Sequence, residues 1–166
     1  SVKSLVGSGD VTLDTNTLTI TNGADTFSGN ISGTGNLTVS GGEQVLNGTN
    51  AYSGTTNVTN GILTLNSSAA VSNSSKVNVT GTGALNLAAA SSVNSLAGSG
   101  NVTLGANTLT ITNGADTFSG NISGTGNLAV SGGNQVLNGT NAYSGTTNVT
   151  NGILTVNSSA ARSEEH

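Results

Sequence analysis

The stretch from Ser4 to Ala70 returns almost unchanged as Ser95 to Ala161, an offset of 91 residues. Seven positions differ between the copies: Val6/Ala97, Asp10/Asn101, Asp14/Gly105, Thr15/Ala106, Thr38/Ala129, Glu43/Asn134 and Leu65/Val156. A chain that repeats itself this closely builds by stacking like on like, so a repeat architecture is weighed before any ordinary globule. Near-identity also marks a recent duplication, and agreement between the copies therefore says little about selection.

A shorter motif lies inside the long one. Gly-Ser/Thr-Gly-x-Val/Leu-x-Leu/Val begins at Gly7, Gly33, Gly81, Gly98 and Gly124, and a relative, Gly-Ile-Leu-Thr-Leu/Val, begins at Gly61 and Gly152. The long steps, such as Gly7 to Gly33 and Gly33 to Gly61, alternate with shorter ones, Gly61 to Gly81 and Gly81 to Gly98. Read as one coil each, these steps describe a β-solenoid of about seven coils, with the extra residues of longer steps in corner loops. Strands show as alternation: Val11/Leu13, Leu18/Ile20, Leu37/Val39, Leu63/Leu65, Val77/Val79 and Leu85/Leu87 face inward, with Thr, Asn and Ser between them facing water. A single coil cannot bury its apolar face, whereas stacked coils share a continuous aliphatic core. Gly and Asn between the strands suit tight corners, and Asn amides can ladder from coil to coil.

Composition agrees. Aromatic residues are 2% of the chain and Trp, Met, Cys and Pro are absent, which leaves a wide globular core without its usual filling. With 25 Gly and much Thr, Asn and Val, long helices are disfavoured. Hydrophobic residues at 33%, regularly alternating, and a net charge of only −4 argue against disorder. The expected fold is all-β, a right-handed parallel β-helix. It forms one segment over residues 1–161, in which copies 4–70 and 95–161 are joined by coils 71–94. Arg162-Ser163-Glu164-Glu165-His166 breaks the composition abruptly and reads as an appended tail.

These numbers also narrow function. Three basic residues, Lys3, Lys76 and Arg162, are scattered and make no phosphate-binding stripe, so nucleic acid is not an expected partner. No apolar run approaches the ~20 residues that span a bilayer. The chain opens at Ser1 without a leader and reads as a piece of something longer. Absence of Cys suits a protein that crosses a bacterial periplasm unfolded.

The run Asn50-Ala51-Tyr52-Ser53-Gly54-Thr55-Thr56-Asn57-Val58-Thr59-Asn60-Gly61-Ile62-Leu63-Thr64-Leu65 resembles the passenger-associated repeat of bacterial autotransporters: an aromatic, a small residue and Gly, a Thr pair, Val, Gly and an alternating aliphatic strand. Its copy runs from Asn141 to Val156, and degenerate versions begin at Phe27-Ser28-Gly29 and Phe118-Ser119-Gly120. The resemblance implies a right-handed parallel β-helix, secreted by the type V route and displayed outside the outer membrane. A separate membrane barrel, absent from this sequence, would anchor the parent chain. It further implies an adhesin stem or scaffold, with a host matrix protein, a glycan or a second copy of itself as partner.

Catalysis finds little footing. A nucleophilic Ser needs a His base, and the only His is His166, in the tail. Among carboxylates that could cleave polysaccharide, Asp10, Asp14 and Glu43 are replaced by Asn, Gly and Asn in the second copy. Asp25 and Asp116 recur, in Asn-Gly-Ala-Asp-Thr, and are read first as Asx turns or corner caps and second as glycan or Ca²⁺ contacts. No calcium-roll motif and no metal-spaced His or Cys cluster occurs, so no cofactor or metal is expected. Phe27, Tyr52, Phe118 and Tyr143 all precede Ser-Gly. They are expected to pack at one corner, with an exposed strip contacting glycan or protein as the sharper alternative. Thr17-Leu18-Thr19-Ile20-Thr21 looks like an ice-binding rank, yet it occurs once per 91 residues rather than in every coil. The reading is a non-enzymatic structural or adhesive segment; a polysaccharide-binding or -degrading β-helix stands second and an ice-binding solenoid third.

Overall fold

The computed structural model describes residues 1–157; residues 158–161, at the end of the second copy, and the tail 162–166 lie outside the described residues. The chain winds through three faces in strict rotation. The first face holds β1 (Val11–Thr12), β4 (Ile31–Ser32), β11 (Ser91–Val93), β14 (Leu109–Ile111), β17 (Leu128–Val130) and β20 (Thr147–Val149). The second is one eight-stranded sheet of β2 (Thr17–Ile20), β5 (Asn36–Val39), β7 (Thr56–Val58), β9 (Val77–Val79), β12 (Leu96–Gly98), β15 (Thr117–Phe118), β18 (Asn134–Leu137) and β21 (Ile153–Val156). The third is a seven-stranded sheet of β3 (Thr26–Phe27), β6 (Glu43–Leu46), β8 (Ile62–Leu65), β10 (Ala84–Leu87), β13 (Asn101–Thr103), β16 (Ile122–Gly124) and β19 (Asn141–Tyr143). Every strand pair is parallel, as a solenoid requires.

The first face crosses residues 50–51 and 69–70 without regular strands, which divides it into two sheets, β1–β4 and β11–β14–β17–β20, bridged by individual hydrogen bonds. Ala51 N–H donates to Ile31 O at 2.8 Å and Asn50 N–H donates to Ala69 O at 3.1 Å. The Asn50 side chain adds to both sides, accepting from Ile31 N and donating to Ala70 O, each at 2.8 Å.

Alternation decides which side chain goes where. In β5, Leu37 and Val39 are buried while Asn36 and Thr38 look outward. Register then builds columns: Ile20, Val39, Val58 and Val79 stand one above another, and so do Leu46, Leu65 and Leu87. A lone strand gains nothing from such a face. Stacked, each fully buried aliphatic side chain contributes about 1.5–3 kcal/mol.

The expected fold class stands, while its coil bookkeeping needs correction. Partners on adjacent turns are most often 19 residues apart, as Thr17 and Asn36 are. The shortest turn separates Ala84 from Asn101 and the longest separates Ile62 from Ala84. The longest sheet has eight strands, so the rod has about eight turns rather than seven. The motif steps from Gly7 to Gly33 and from Gly33 to Gly61 each make four face passages, a turn and a third, and so do their copies. Only the steps from Gly61 to Gly81 and from Gly81 to Gly98 are single turns. Repeated motifs had suggested one coil each because the same strand sequence serves all three faces.

The duplication is consequently out of phase with the turn. Each repeated unit holds fourteen face passages, four and two-thirds turns. Second-face β5 recurs as first-face β17, third-face β6 as second-face β18, and first-face β4 as third-face β16. The copies join with the second and third sheets unbroken, one copy rotated by one face relative to the other.

Candidate functional site

The outer surface is built from the polar residues that alternate with the core. Several stack into rungs: Asn66 donates to Asn47 at 3.1 Å, Asn157 to Asn138 at 2.8 Å, and Asn78 to Asn57 at 3.4 Å. Asn36 Oδ1 accepts from Thr55 N at 2.8 Å, and Asn127 Oδ1 accepts from Thr146 N at 2.8 Å. These rungs are the amide ladders expected from the sequence. Because they satisfy one another turn by turn, they stiffen the wall as well as coat it.

The aromatic residues lie inside the rod. Phe27, Tyr52 and Phe118 are buried and Tyr143, in the last described turn, is partly buried. They do not share a corner: Phe27 and Tyr143 close third-face strands six turns apart, Phe118 closes a second-face strand, and Tyr52 follows a first-face passage. What they share is a glycine one turn earlier. Gly7 pairs with Phe27, Gly98 with Phe118 and Gly124 with Tyr143, and Ser53 N–H donates to Gly33 O beside Tyr52. All four glycines have φ between 102° and 116°, a backbone that side chains disfavour. Four of the five Gly-Ser/Thr-Gly motifs thus form the bed for an aromatic-Ser-Gly of the next turn, while Gly81-Thr82-Gly83 lies beneath Gly100. The signal was present as a one-turn spacing, Gly7 to Phe27 and Gly33 to Tyr52, between two motifs read separately.

Tyr52 has a polar end to satisfy. Its hydroxyl meets Thr56 Oγ1 at 2.6 Å, Thr56 Oγ1 donates to Ser74 Oγ at 2.9 Å, and Ser74 Oγ donates to Gly54 O at 2.8 Å. Burial pushes the Tyr52 phenol well above its ordinary value, and the Thr56 hydrogen bond offsets part of that rise.

Asp25 and Asp116 stand at the entrances to β3 and β15 and are half-buried. The corner cap there is a serine: Ala24 N–H donates to Ser4 Oγ at 3.0 Å and Ala115 N–H to Ser95 Oγ at 2.9 Å. Asp116 forms an ion pair instead, its Oδ1 3.1 Å from Lys76 Nζ two turns away. Two of the remaining carboxylates, those of Asp10 and Glu43, are engaged singly. Asp10 Oδ1 accepts from Asn30 Nδ2 at 3.2 Å, and Glu43 Oε1 accepts from Thr64 Oγ1 at 2.8 Å. Among the described residues no three His, Cys, Asp or Glu side chains gather as a metal site. His166 lies outside the described residues.

Sequence reading passed over Gln44 and Gln135, which are fully buried inside the apolar core. Gln135 Nε2 donates to Leu96 O at 2.8 Å and Asp116 O at 3.0 Å, while its Oε1 accepts from Leu96 N at 3.2 Å. Gln44 does the same for Leu5 and Asp25, at 2.8, 2.9 and 2.9 Å. Each glutamine ties three successive turns at a corner where the backbone leaves the ladder. Gln44 stands beneath Leu63 in register, a position where pattern alone expects an aliphatic.

Described from the residues upward, the candidate site is a wall: three polar faces over a closed core, with Asp25 and an ion-paired Asp116 at the corners. No family model, no curated protein and no solved structure matches this chain.

Proposed function

We propose that the chain is a rigid spacer in a bacterial surface protein of the autotransporter passenger type. It holds neighbouring parts of that protein away from the outer membrane and offers its Asn- and Thr-rich faces to host matrix protein, glycan or a second copy of itself. The observation that carries this reading is that the second and third sheets run in unbroken register across the junction of the two copies. Duplication here lengthens the rod without altering its cross-section, which is what a spacer needs. At ~4.8 Å per turn, eight turns give a length of roughly 38 Å, and each added repeat unit contributes about 22 Å. We assign the chain no catalytic step: among the described residues Asp10 and Glu43 are held in structural hydrogen bonds and Asp116 in an ion pair. The location and partners follow from the sequence resemblance.

A surface-display experiment tests the proposal. The chain is placed between an outer-membrane barrel and a fluorescent tag, and energy transfer from the tag to a membrane dye reports its distance. A spacer gives display of the tag and a distance that grows with each further repeat unit. Retention in the periplasm, or a distance indifferent to the number of units, would overturn it. Binding of the isolated chain to an arrayed glycan or matrix protein would place adhesion in this segment; no binding would leave it as a spacer alone.

A further inference from the structure

The same strand sequence serves different faces in the two copies. Leu37-Thr38-Val39 lies on the second face and its copy, Leu128-Ala129-Val130, on the first; Ile31-Ser32 lies on the first and Ile122-Ser123 on the third. Aliphatic alternation therefore cannot tell one face from another. A chain that looped out one strand passage would still turn its aliphatics inward, with every later strand one face early. Nothing in the alternation penalises that winding, so the length of a turn has to be specified by other contacts.

Two fully buried glutamines read chain length directly. Gln135 Nε2 donates to Asp116 O, 19 residues back, and to Leu96 O, 39 residues back, while Oε1 accepts from Leu96 N. Gln44 makes the same three bonds, to Asp25 O at 19 residues and to both backbone groups of Leu5 at 39. The two sets are alike although Gln44 stands on the third face and Gln135 on the second. They follow distance along the chain and not a feature of one face. Gly98 pairs with Phe118 and Thr117 with Val136, so Leu96, Asp116 and Gln135 stand on successive rungs. That stacking holds only if both intervening turns contain three passages. Looping out one passage would carry Gln135 to a neighbouring face, leaving its amide in the aliphatic core and the Leu96 corner without its partner. Each buried polar group left so lowers the population of that winding about 5- to 150-fold. Leu63 and Leu154, one rung above Gln44 and Gln135, set no such condition, because any face supplies apolar contact.

We infer that Gln44 and Gln135 are turn gauges: their hydrogen bonds fix the number of strand passages in two successive turns, because only the three-passage winding satisfies them. The beds of aromatic on glycine act over one turn, as from Gly98 to Phe118, whereas each glutamine reaches across two. The repeat unit carries its own glutamine, since Gln135 is the copy of Gln44. A phase error in one unit is therefore corrected within it and does not pass to the next. The inference rests on the winding alone and not on the spacer reading. A chain that spaces a tag from the membrane but shows no gauge would defeat this inference alone.

The test is a distance measurement across the gauged turns of the full chain. The sequence has no cysteine, so Thr38→Cys and Asn134→Cys place two nitroxide labels without competition. Both positions look outward on the second face, and both already differ between the copies. Thr38 stacks through Asn57, Asn78, Ala97 and Thr117 to Val136, two residues past Asn134. At ~4.8 Å per rung the labels stand roughly 25 Å apart. Pulsed electron–electron resonance should find that single distance when Gln135 is present. In Gln135→Leu the fraction of folded chains at another distance should rise about 5- to 150-fold, as a second peak. Gln135→Met, which keeps nearly the same shape without the amide, should do the same. Leu128→Ala separates lost phase from lost stability: it removes buried packing but no gauge, and should keep one distance. A single distance in both glutamine variants, or failure of both to fold, would overturn the proposal. So would a second distance of equal size in Leu128→Ala.

Discussion

Gly9 and Gly100 are the same motif position in the two copies, yet the structure gives them opposite burdens. Gly100 lies in a glycine column with Gly83, Gly120 and Gly139, where each Cβ would run into the carbonyl oxygen of the turn before. Gly9, in the first turn, faces open space. Gly100→Ala should therefore cost about 2–3 kcal/mol, since backbone oxygen cannot step aside. Gly9→Ala should be neutral or slightly stabilising through the unfolded chain. Urea melts of both variants in dilute solution check the contrast. Tyr52 gives a second prediction at this scale. Its phenol titrates higher in the folded chain than the ~10 of an exposed tyrosine. Its contribution to stability is thus complete below about pH 10 and declines as pH rises further, because the unfolded chain sheds a proton that the folded chain keeps. The slope reaches about 1.4 kcal/mol per pH unit, and Tyr52→Phe should flatten it in urea melts run from about pH 9 to 12. Tyr52 and the glycines were visible in the sequence as conspicuous residues. Their partners were not, because a contact on the next turn lies far along the chain and only the turn length reveals it.

At the scale of strands, alternation located the elements and misjudged how they connect. Leu37/Val39 and Leu85/Leu87 lie in strands with those residues inward, as the pattern implied. The same pattern cannot say which face a strand occupies, since all three faces bury the same kind of residue. That ambiguity turned four-passage steps, such as Gly7 to Gly33, into coils. Gln44 and Gln135 were missed for a related reason: a polar residue in the run Gln-Val-Leu reads as outward-facing, whereas these two point inward to satisfy backbone groups at a corner. Asp25 and Asp116 were legible as corner residues, but the Ser caps and the Lys76 pairing depend on groups one and two turns away. The clamp makes a prediction proper to elements. Gln135→Leu has space, because Leu154 occupies the next rung. It leaves the N–H and C=O of Leu96 and the C=O of Asp116 without this partner inside the core. Stability should fall by about 2–4 kcal/mol. Gln44→Leu should cost less, since its partner Leu5 belongs to the half-covered first turn. Denaturant midpoints of the two variants compare the clamps directly.

For the molecule as a whole, one ratio governs the rod: a turn that most often takes 19 residues, set against a duplicated unit of 91. The unit adds four and two-thirds turns, rotates its equivalent surfaces by one face, and returns to the starting face only after three units. A partner that recognises the repeated surface therefore meets it in different directions around the rod. Composition and repeats led to the β-solenoid itself, because a chain poor in aromatics and rich in alternating aliphatics has few other ways to bury a core. The phase between unit and turn had no signature in either copy alone. It is tested most directly by small-angle X-ray scattering of this chain and of a version with residues 71–161 inserted once more after Ala161. The predicted result is a particle longer by about 22 Å with an unchanged cross-sectional radius. A thicker particle, or two bodies moving independently, would contradict it.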